Sequence, residues 1–272
     1  MGQPPPRDIP LVEKKWEELS DTQLGANGEA ALSIKPGKWK HAETDHFIIH
    51  FRRVTEAHKV VREIEYDFWF VAKTLGAKPE QYARKSHVFV FEDETEWKKF
   101  LIDTNWPSWV GSFAAREGLF LNIRRMEQGG LFDSHTLAHE TTHAVVARLY
   151  PNERWPVWLS EGFAEYMGGA SVATRNHQLI KSYQKDLDTQ MSLEEMFATQ
   201  RYPDDVDKVR DLYRTSEKFV RFLMNELPPY RFRKYVEAVL TSKDGQAAFM
   251  QVYGDKFPTL DAFQKKFTTF SK

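Results

Sequence analysis

Residues 139–143 read His-Glu-Thr-Thr-His, a spacing that suits the binding of a divalent metal ion. Two histidines four positions apart on an α-helix lie one turn apart on the same face, so both imidazoles can reach one cation. Glu140 would then lie beside the metal without binding it, where its carboxylate can take a proton from a metal-activated water. The motif also occurs by chance on amphipathic helices, so it predicts a metal-dependent hydrolase but does not establish one.

A second helical segment, residues 156–166, supplies the third ligand that a catalytic zinc needs. Glu161 follows the second histidine of the motif by 18 positions, and two histidines with one glutamate are an established zinc set that leaves one position open. Apolar neighbours indicate that this helix is buried, where an unpaired carboxylate would be costly. Glu165, one turn later, is predicted to accept the N–H of a ligand imidazole. The sequence therefore predicts one Zn²⁺ per chain, held by His139, His143 and Glu161.

The sequence HETTH followed by WLSEGFAEY resembles the gluzincin metallopeptidases, most of all their bacterial peptidase MA-like group. The resemblance is strongest over residues 135–167 and weaker over 45–263. It implies a zincin-like fold, a peptide or protein substrate, and export to the periplasm or cell envelope of a bacterium. It also implies that a strand predicted at Gly118–Ile123 is the antiparallel edge strand, where an extended substrate pairs through backbone hydrogen bonds.

Two departures from the gluzincin aminopeptidases favour cleavage within a peptide chain. Those enzymes carry a Gly-x-Met-Glu-Asn sequence before the zinc helix, and its glutamate holds the free amine of the substrate. Gly111–Ala115 reads GSFAA here and offers no such glutamate. The third zinc ligand of those enzymes also lies one residue later than Glu161 does. We therefore expect an endopeptidase.

The reaction also needs a donor for the oxyanion of the tetrahedral intermediate. The resembling proteins have a tyrosine before the helix that follows the zinc site, and Tyr213 matches it, although a buried packing role fits this residue equally well. Tyr166 and His177 are alternatives. His135, one turn before the first predicted ligand, either flanks the site or lies on the surface near the helix start.

Two other functions use the same residues. In the first, the fold is a catalytically silent binding or scaffold module, or a latent enzyme whose cleft is filled by the first 40 residues. Retention of Glu140 argues against a silent module, because a scaffold needs no base. In the second, the site hydrolyses a non-peptide amide.

The composition is that of a globular chain with almost no net charge. It has 272 residues, 41% of them hydrophobic, with a formal net charge of −1. No broad basic field is available to attract nucleic acid. The absence of cysteine excludes disulfides and thiolate ligands. No apolar run approaches the ~18 residues that span a bilayer, and residues 1–6 lack the apolar core of a signal peptide.

The order of the predicted elements indicates an α+β fold with a short mixed sheet in a small N-terminal α/β lobe, a mainly helical C-terminal lobe and an active-site cleft between them. The predicted domains are an extended segment over 1–40, an α/β lobe over 41–150 that ends in the HExxH helix, and a helical lobe over 151–272 that carries the third ligand. Strands are predicted at Asp45–Arg52, His87–Phe91 and Gly118–Ile123. A helix is predicted between its cap at Thr55 and its stop at Gly76, and further helices at 11–19, 94–102, 135–150, 157–168, 172–187, 209–227, 230–241 and 258–268.

Overall fold

A computed structural model describes residues 2–116, 118–128, 131–177 and 191–270 of the chain. The backbone divides into two compact units. The first comprises residues 1–73 and 77–151, and the second comprises 74–76 and 152–272. The fold is mixed α+β, with a small mixed sheet in the N-terminal part and mostly helix in the C-terminal part, as the sequence predicts. Among the described residues, none of the helices is both long enough and apolar enough to span a bilayer.

A six-stranded mixed sheet organises the first unit. Its strands are β1 (Glu13–Lys14), β2 (Lys40–Glu43), β3 (Phe47–Phe51), β4 (Ser86–Phe91), β5 (Ser112–Ala115) and β6 (Gly118–Asn122), and a small ribbon pairs β7 (Glu127–Gln128) with β8 (Leu131–Phe132). The order across the large sheet is β1-β2-β3-β4-β6-β5. The central pairs β3–β4 and β4–β6 are parallel, and the outer pairs are antiparallel.

The edge strand beside the HExxH helix is β5, and this corrects the assignment of the edge to Gly118–Ile123. The strand that begins at Gly118 lies inside the sheet, with β4 on one side and β5 on the other. All five residues of β6 are buried, which is typical of a strand covered on both faces. Gly118 starts it at φ +152°, and a Cβ there would lie 2.0 Å from the carbonyl oxygen of His87. Only glycine fits this close approach of two strands.

The helices of the first unit cover the sheet. They are α1 (Ala26–Ser33), α2 (Val54–Leu75), α3 (Glu94–Asp103), α4 (Ile123–Met126) and α5 (Ser134–Leu149). Aromatic rings fill the core beneath α3: Phe120 stacks on Phe89 at 4.8 Å and on Phe113 at 4.9 Å between ring centroids. Because Phe113 belongs to β5, this packing holds the edge strand against the rest of the sheet.

The second unit is helical in the part that the structure describes. Its helices are α6 (Val157–Arg175), α7 (Leu193–Ala198), α8 (Val206–Glu226), α9 (Pro229–Ser242), α10 (Gly245–Tyr253) and α11 (Leu260–Thr269). The helices α6 and α8 approach closely at Gly162, where a Cβ would lie 2.5 Å from the carbonyl oxygen of Ser216. This contact fixes the part of α6 that carries Glu161.

Most of the predicted elements agree with the structure within a few residues, and the exceptions are informative. Residues 11–19 form the short strand β1 and a single turn of 3-10 helix at Trp16–Glu18 instead of one helix. The predicted helix over 172–187 begins inside α6, which continues to Arg175, and its part over 178–187 lies outside the described residues. The helices α1, α4, α7 and α10 and the strands β1, β2, β5, β7 and β8 were not predicted.

Candidate metal centre and active site

The helix α5 places the two histidines of the motif side by side. The carboxylate of Asp133 caps its N-terminus by accepting a hydrogen bond of 2.9 Å from the backbone N–H of Thr136. Leu137, Ala138 and Val145 are buried, which anchors one side of the helix. The Nε2 atoms of His139 and His143 lie 3.0 Å apart, so both imidazoles direct the same ring nitrogen toward one point.

The carboxylate of Glu161 completes a group that can hold a metal ion. Its position on α6 is 3% exposed, and one ligand atom each from His139, His143 and Glu161 all lie within 4.8 Å of one another. Zinc accepts imidazole nitrogen and carboxylate oxygen, commonly in this combination at catalytic sites. A buried carboxylate also needs a cation or strong donors to offset its lost hydration. The donor set and its burial therefore fit a zinc ion.

Glu140 is held by the edge strand of the sheet. Its Oε2 accepts a hydrogen bond of 2.8 Å from the backbone N–H of Ala114 in β5. Because this N–H donates to a side chain of α5, it points away from the neighbouring strand β6 and toward α5. Glu140 follows His139 directly on α5. The bond to Ala114 therefore holds its carboxylate against the edge strand, on the helix that carries the two histidines.

The phenol of Tyr213 lies beside the predicted third ligand. Burial is the largest cause that raises its pKa above the ordinary tyrosine value, and the charge of Glu161 and the neighbouring Tyr202 raise it further. Side-chain hydrogen bonds to Glu161 and Tyr202 contribute in the same direction. Tyr213 is therefore a protonated phenol in hydrogen-bonding contact with Glu161 of the candidate metal centre.

Tyr202 is a residue of this site that the sequence did not predict. Its hydroxyl donates a hydrogen bond of 2.5 Å to Oε1 of Glu161. It lies 41 positions after that glutamate, between α7 and α8, in the sequence Arg-Tyr-Pro. Only the Pro that follows it marks this position as a turn or connector, and no spacing rule connects it with Glu161.

Glu165 has a buried acidic neighbour on α8. Burial raises the pKa of Glu217 to about 7, with the charge of Glu165 adding to the increase and Arg221 opposing it. The predicted bond from Glu165 to a ligand imidazole stays a prediction.

The alternative donors of the sequence analysis lie in other settings. The hydroxyl of Tyr166 donates to Oδ1 of Asn225 at 3.0 Å. His177 follows the end of α6 with a left-handed backbone at φ +57°, and His135 is half-buried in the first turn of α5. Of the two tyrosines predicted as donors, Tyr213 is therefore the one with a described contact to Glu161, whereas Tyr166 bonds to Asn225.

Comparisons with known proteins identify the family. None of the curated proteins matches the sequence. The narrower resemblance to the peptidase MA-like group is not confirmed, whereas the family model for the collagenases, peptidase family M9, matches residues 48–259. This match spans most of the chain and includes the two histidines, Glu140, Glu161 and both tyrosines of the site. The chain therefore belongs to the collagenase family and is a zinc metallopeptidase.

Proposed function

We propose that this metallopeptidase is a gluzincin-type endopeptidase with one Zn²⁺ per chain on His139, His143 and Glu161. The observation that carries the proposal is the convergence of one ligand atom from each of these residues within 4.8 Å. Their order along the chain, with a glutamate 18 residues after the HExxH motif, also matches the gluzincin pattern of the sequence resemblance. The bound zinc would polarise the scissile carbonyl and lower the pKa of a water molecule toward ~7.

Glu140 acts as the general base and then as the general acid. Its carboxylate takes a proton from the attacking water as the new C–O bond forms. It then passes this proton to the amide nitrogen, which leaves as an amine when the C–N bond breaks. The 2.8 Å hydrogen bond from the N–H of Ala114 supports this role, because it holds one carboxylate oxygen in a fixed orientation before the substrate arrives.

Tyr213 stabilises the negative charge that develops on the carbonyl oxygen. A phenol O–H that turns from Glu161 to this oxygen stabilises the transition state more than the substrate, which is the requirement for catalysis. The support for this role is the position of Tyr213 in hydrogen-bonding contact with Glu161. Tyr213 therefore supplies the donor, and Glu165 is proposed to orient an imidazole of the metal site.

The edge strand β5 is proposed to bind the substrate backbone. In an antiparallel pair the backbone N–H and C=O groups of successive residues point to opposite sides, so those of residues two apart point to the same side. Because the N–H of Ala114 points away from β6, the backbone groups of Ser112 point away from β6 as well. An extended peptide can add to this side of β5 as a further strand. Such binding does not require a free terminus, and this supports cleavage within a chain.

Peptides blocked at both ends test the endopeptidase assignment. A library of N-acetylated, C-amidated peptides is incubated with the zinc-loaded protein, and the products are identified by mass spectrometry. Gelatin is included, because the chain belongs to the collagenase family. We expect internal cuts that a chelator abolishes and added zinc restores. Removal of residues only from unblocked termini would contradict the endopeptidase assignment, and no cleavage of any peptide would contradict the proposed substrate class.

A further inference from the structure

Tyr202 combines an anchored hydroxyl with an exposed ring. The side chain is 55% exposed, whereas its hydroxyl donates to Oε1 of Glu161, a residue that is 3% exposed. An exposed tyrosine ordinarily directs its hydroxyl to water, because the phenol tip is the polar end of an amphipathic side chain. Here the hydroxyl instead reaches a buried carboxylate, so the contact depends on that specific acceptor.

The backbone around Tyr202 is fixed on both sides. The preceding helix α7 ends at Ala198 and is followed by Thr199, whose hydroxyl donates to the carbonyl oxygen of Glu195 at 2.8 Å. The following helix α8 is capped by Asp205, whose carboxylate accepts from the N–H groups of Asp207 and Lys208 at 2.8 and 3.0 Å. The connector between these helices is therefore short and tied at each end. This arrangement lowers the entropic cost of holding the phenol against Glu161.

A hydrogen bond to a ligand carboxylate affects metal binding in two ways. It selects one orientation of the carboxylate, and it offsets part of the desolvation of a buried charge before the metal arrives. Residues that hydrogen-bond to a metal ligand in this way typically change metal affinity or activity by about 10–100-fold when they are replaced. Glu161 can make this bond through one carboxylate oxygen while its other oxygen remains a candidate metal ligand.

We infer that Tyr202 is a positioning residue for the metal site, whose hydroxyl orients the carboxylate of Glu161 for zinc. The inference rests on the proposed function, because it assumes that Glu161 is a zinc ligand. It differs from the role of Tyr213, which is proposed to act on the substrate. Tyr202 acts on the ligand, so its effect extends to metal binding in the absence of substrate.

The test compares Tyr202→Phe with Tyr230→Phe. Both substitutions remove one hydroxyl and keep the ring, and Tyr230 is similarly exposed at 49%, on the helix α9. The zinc dissociation constant of each metal-free protein is measured by competition with a chromophoric chelator. The visible spectrum of the cobalt-substituted protein reports the ligand geometry, and thermal unfolding of the metal-free protein reports its stability. With blocked peptides, kcat and KM are measured separately.

We expect Tyr202→Phe to weaken zinc binding by about 10–100-fold and to change the cobalt spectrum. Unfolding of the metal-free protein should change little, and with zinc at saturation kcat should fall while KM stays within about twofold. Tyr230→Phe should match the parent in every measurement. A Tyr202→Phe protein with the zinc affinity and cobalt spectrum of the parent would overturn the inference.

Glu161→Ala separates this inference from the function on which it rests. If Glu161→Ala loses zinc and Tyr202→Phe keeps it at parental affinity, the metal site stands and the role of Tyr202 is wrong. If Glu161→Ala keeps zinc at parental affinity, the proposed ligand set is wrong and the inference about Tyr202 fails with it.

Discussion

The carboxylate of Glu140 and the backbone N–H of Ala114 are joined by a hydrogen bond of 2.8 Å. This bond connects the HExxH helix to the edge strand of the sheet. In the proposed mechanism it holds the base in place beside the strand that binds the substrate. The fold therefore fixes the distance between the carboxylate of Glu140 and the edge strand β5.

Glu140→Gln should remove most of the activity and leave the protein folded. The amide oxygen of glutamine can still accept from the N–H of Ala114, but the amide cannot take a proton from water at neutral pH. We expect kcat to fall by at least about 100-fold, the lower range for loss of a general acid–base group. Zinc content and the temperature of unfolding should be unchanged. The measurement is kcat on blocked peptides together with zinc analysis of the same sample.

A matched control is Glu80→Gln, at an exposed position in the short helix Pro79–Tyr82. The substitution makes the same chemical change, from carboxylate to amide, at a position outside the described contacts of Glu140. This variant should therefore retain the activity of the parent. Parental turnover by Glu140→Gln would rule out Glu140 as the base.

Gly162→Ala should destabilise the second unit. The added methyl group would lie 2.5 Å from the carbonyl oxygen of Ser216, so α6 and α8 must separate to accept it. Overpacking of this kind costs about 1–3 kcal/mol. Urea unfolding followed by tryptophan fluorescence measures the change. Gly111→Ala is the comparison, because its Cβ would find its nearest neighbour at an ordinary 3.5 Å. Equal stability of the Gly162→Ala protein and the parent would contradict the close helix contact.

Three histidines on neighbouring strands form a hydrogen-bonded row in the first unit. Nδ1 of His41 lies 2.8 Å from Nδ1 of His50, and Nε2 of His50 lies 2.9 Å from Nδ1 of His87. Burial lowers the pKa of all three histidines. The pKa of His87 falls to about 4, where burial is the largest cause, the charge of Asp21 opposes the decrease and the charge of Arg84 adds to it. The row is therefore uncharged at neutral pH.

This row should make the protein less stable in mild acid. Unfolded histidine has a pKa near 6.5, so between about pH 6.5 and 4 the unfolded chain binds protons that the folded row does not. The stability contributed by the neutral row is complete above pH 6.5 and is lost as the pH falls toward the folded pKa. His87 alone contributes on the order of 3 kcal/mol to this loss, at about 1.4 kcal/mol per pKa unit.

Urea unfolding of the metal-free protein at several pH values measures this loss. His50→Gln removes one titrating group, so its stability should depend less on pH over this range than that of the parent. His58→Gln, at an exposed position on α2, should follow the parent. An identical pH dependence for His50→Gln and the parent would show that the row does not contribute.

The longer helices and the grouping of His139, His143 and Glu161 were predictable because each depends on local sequence. Asp133 and the apolar spacing mark α5, and His139 and His143 share one face of it whatever surrounds the helix. Glu161 follows from the need of zinc for a third ligand. These features require no knowledge of which elements are neighbours in space.

The edge strand and Tyr202 were not predictable because both depend on tertiary contacts. The four residues of β5 include serine and two alanines, which carry little strand preference, and the packing of Phe113 on Phe120 holds the strand in place. The sequence signal for an interior strand is the unbroken apolar run Leu119–Leu121 in β6, because a strand buried on both faces does not alternate apolar and polar residues. Tyr202 reaches Glu161 across 41 residues through a connector whose path is set by α7 and α8.

The metal content of the purified protein tests the central claim most directly. The parent, Glu161→Ala and the control Glu194→Ala, at an exposed position of α7, are loaded with zinc, desalted and analysed by elemental mass spectrometry. We predict about one zinc per chain in the parent and in Glu194→Ala, and much less in Glu161→Ala. One zinc per chain in all three proteins, or none in the parent, would contradict the site formed by His139, His143 and Glu161.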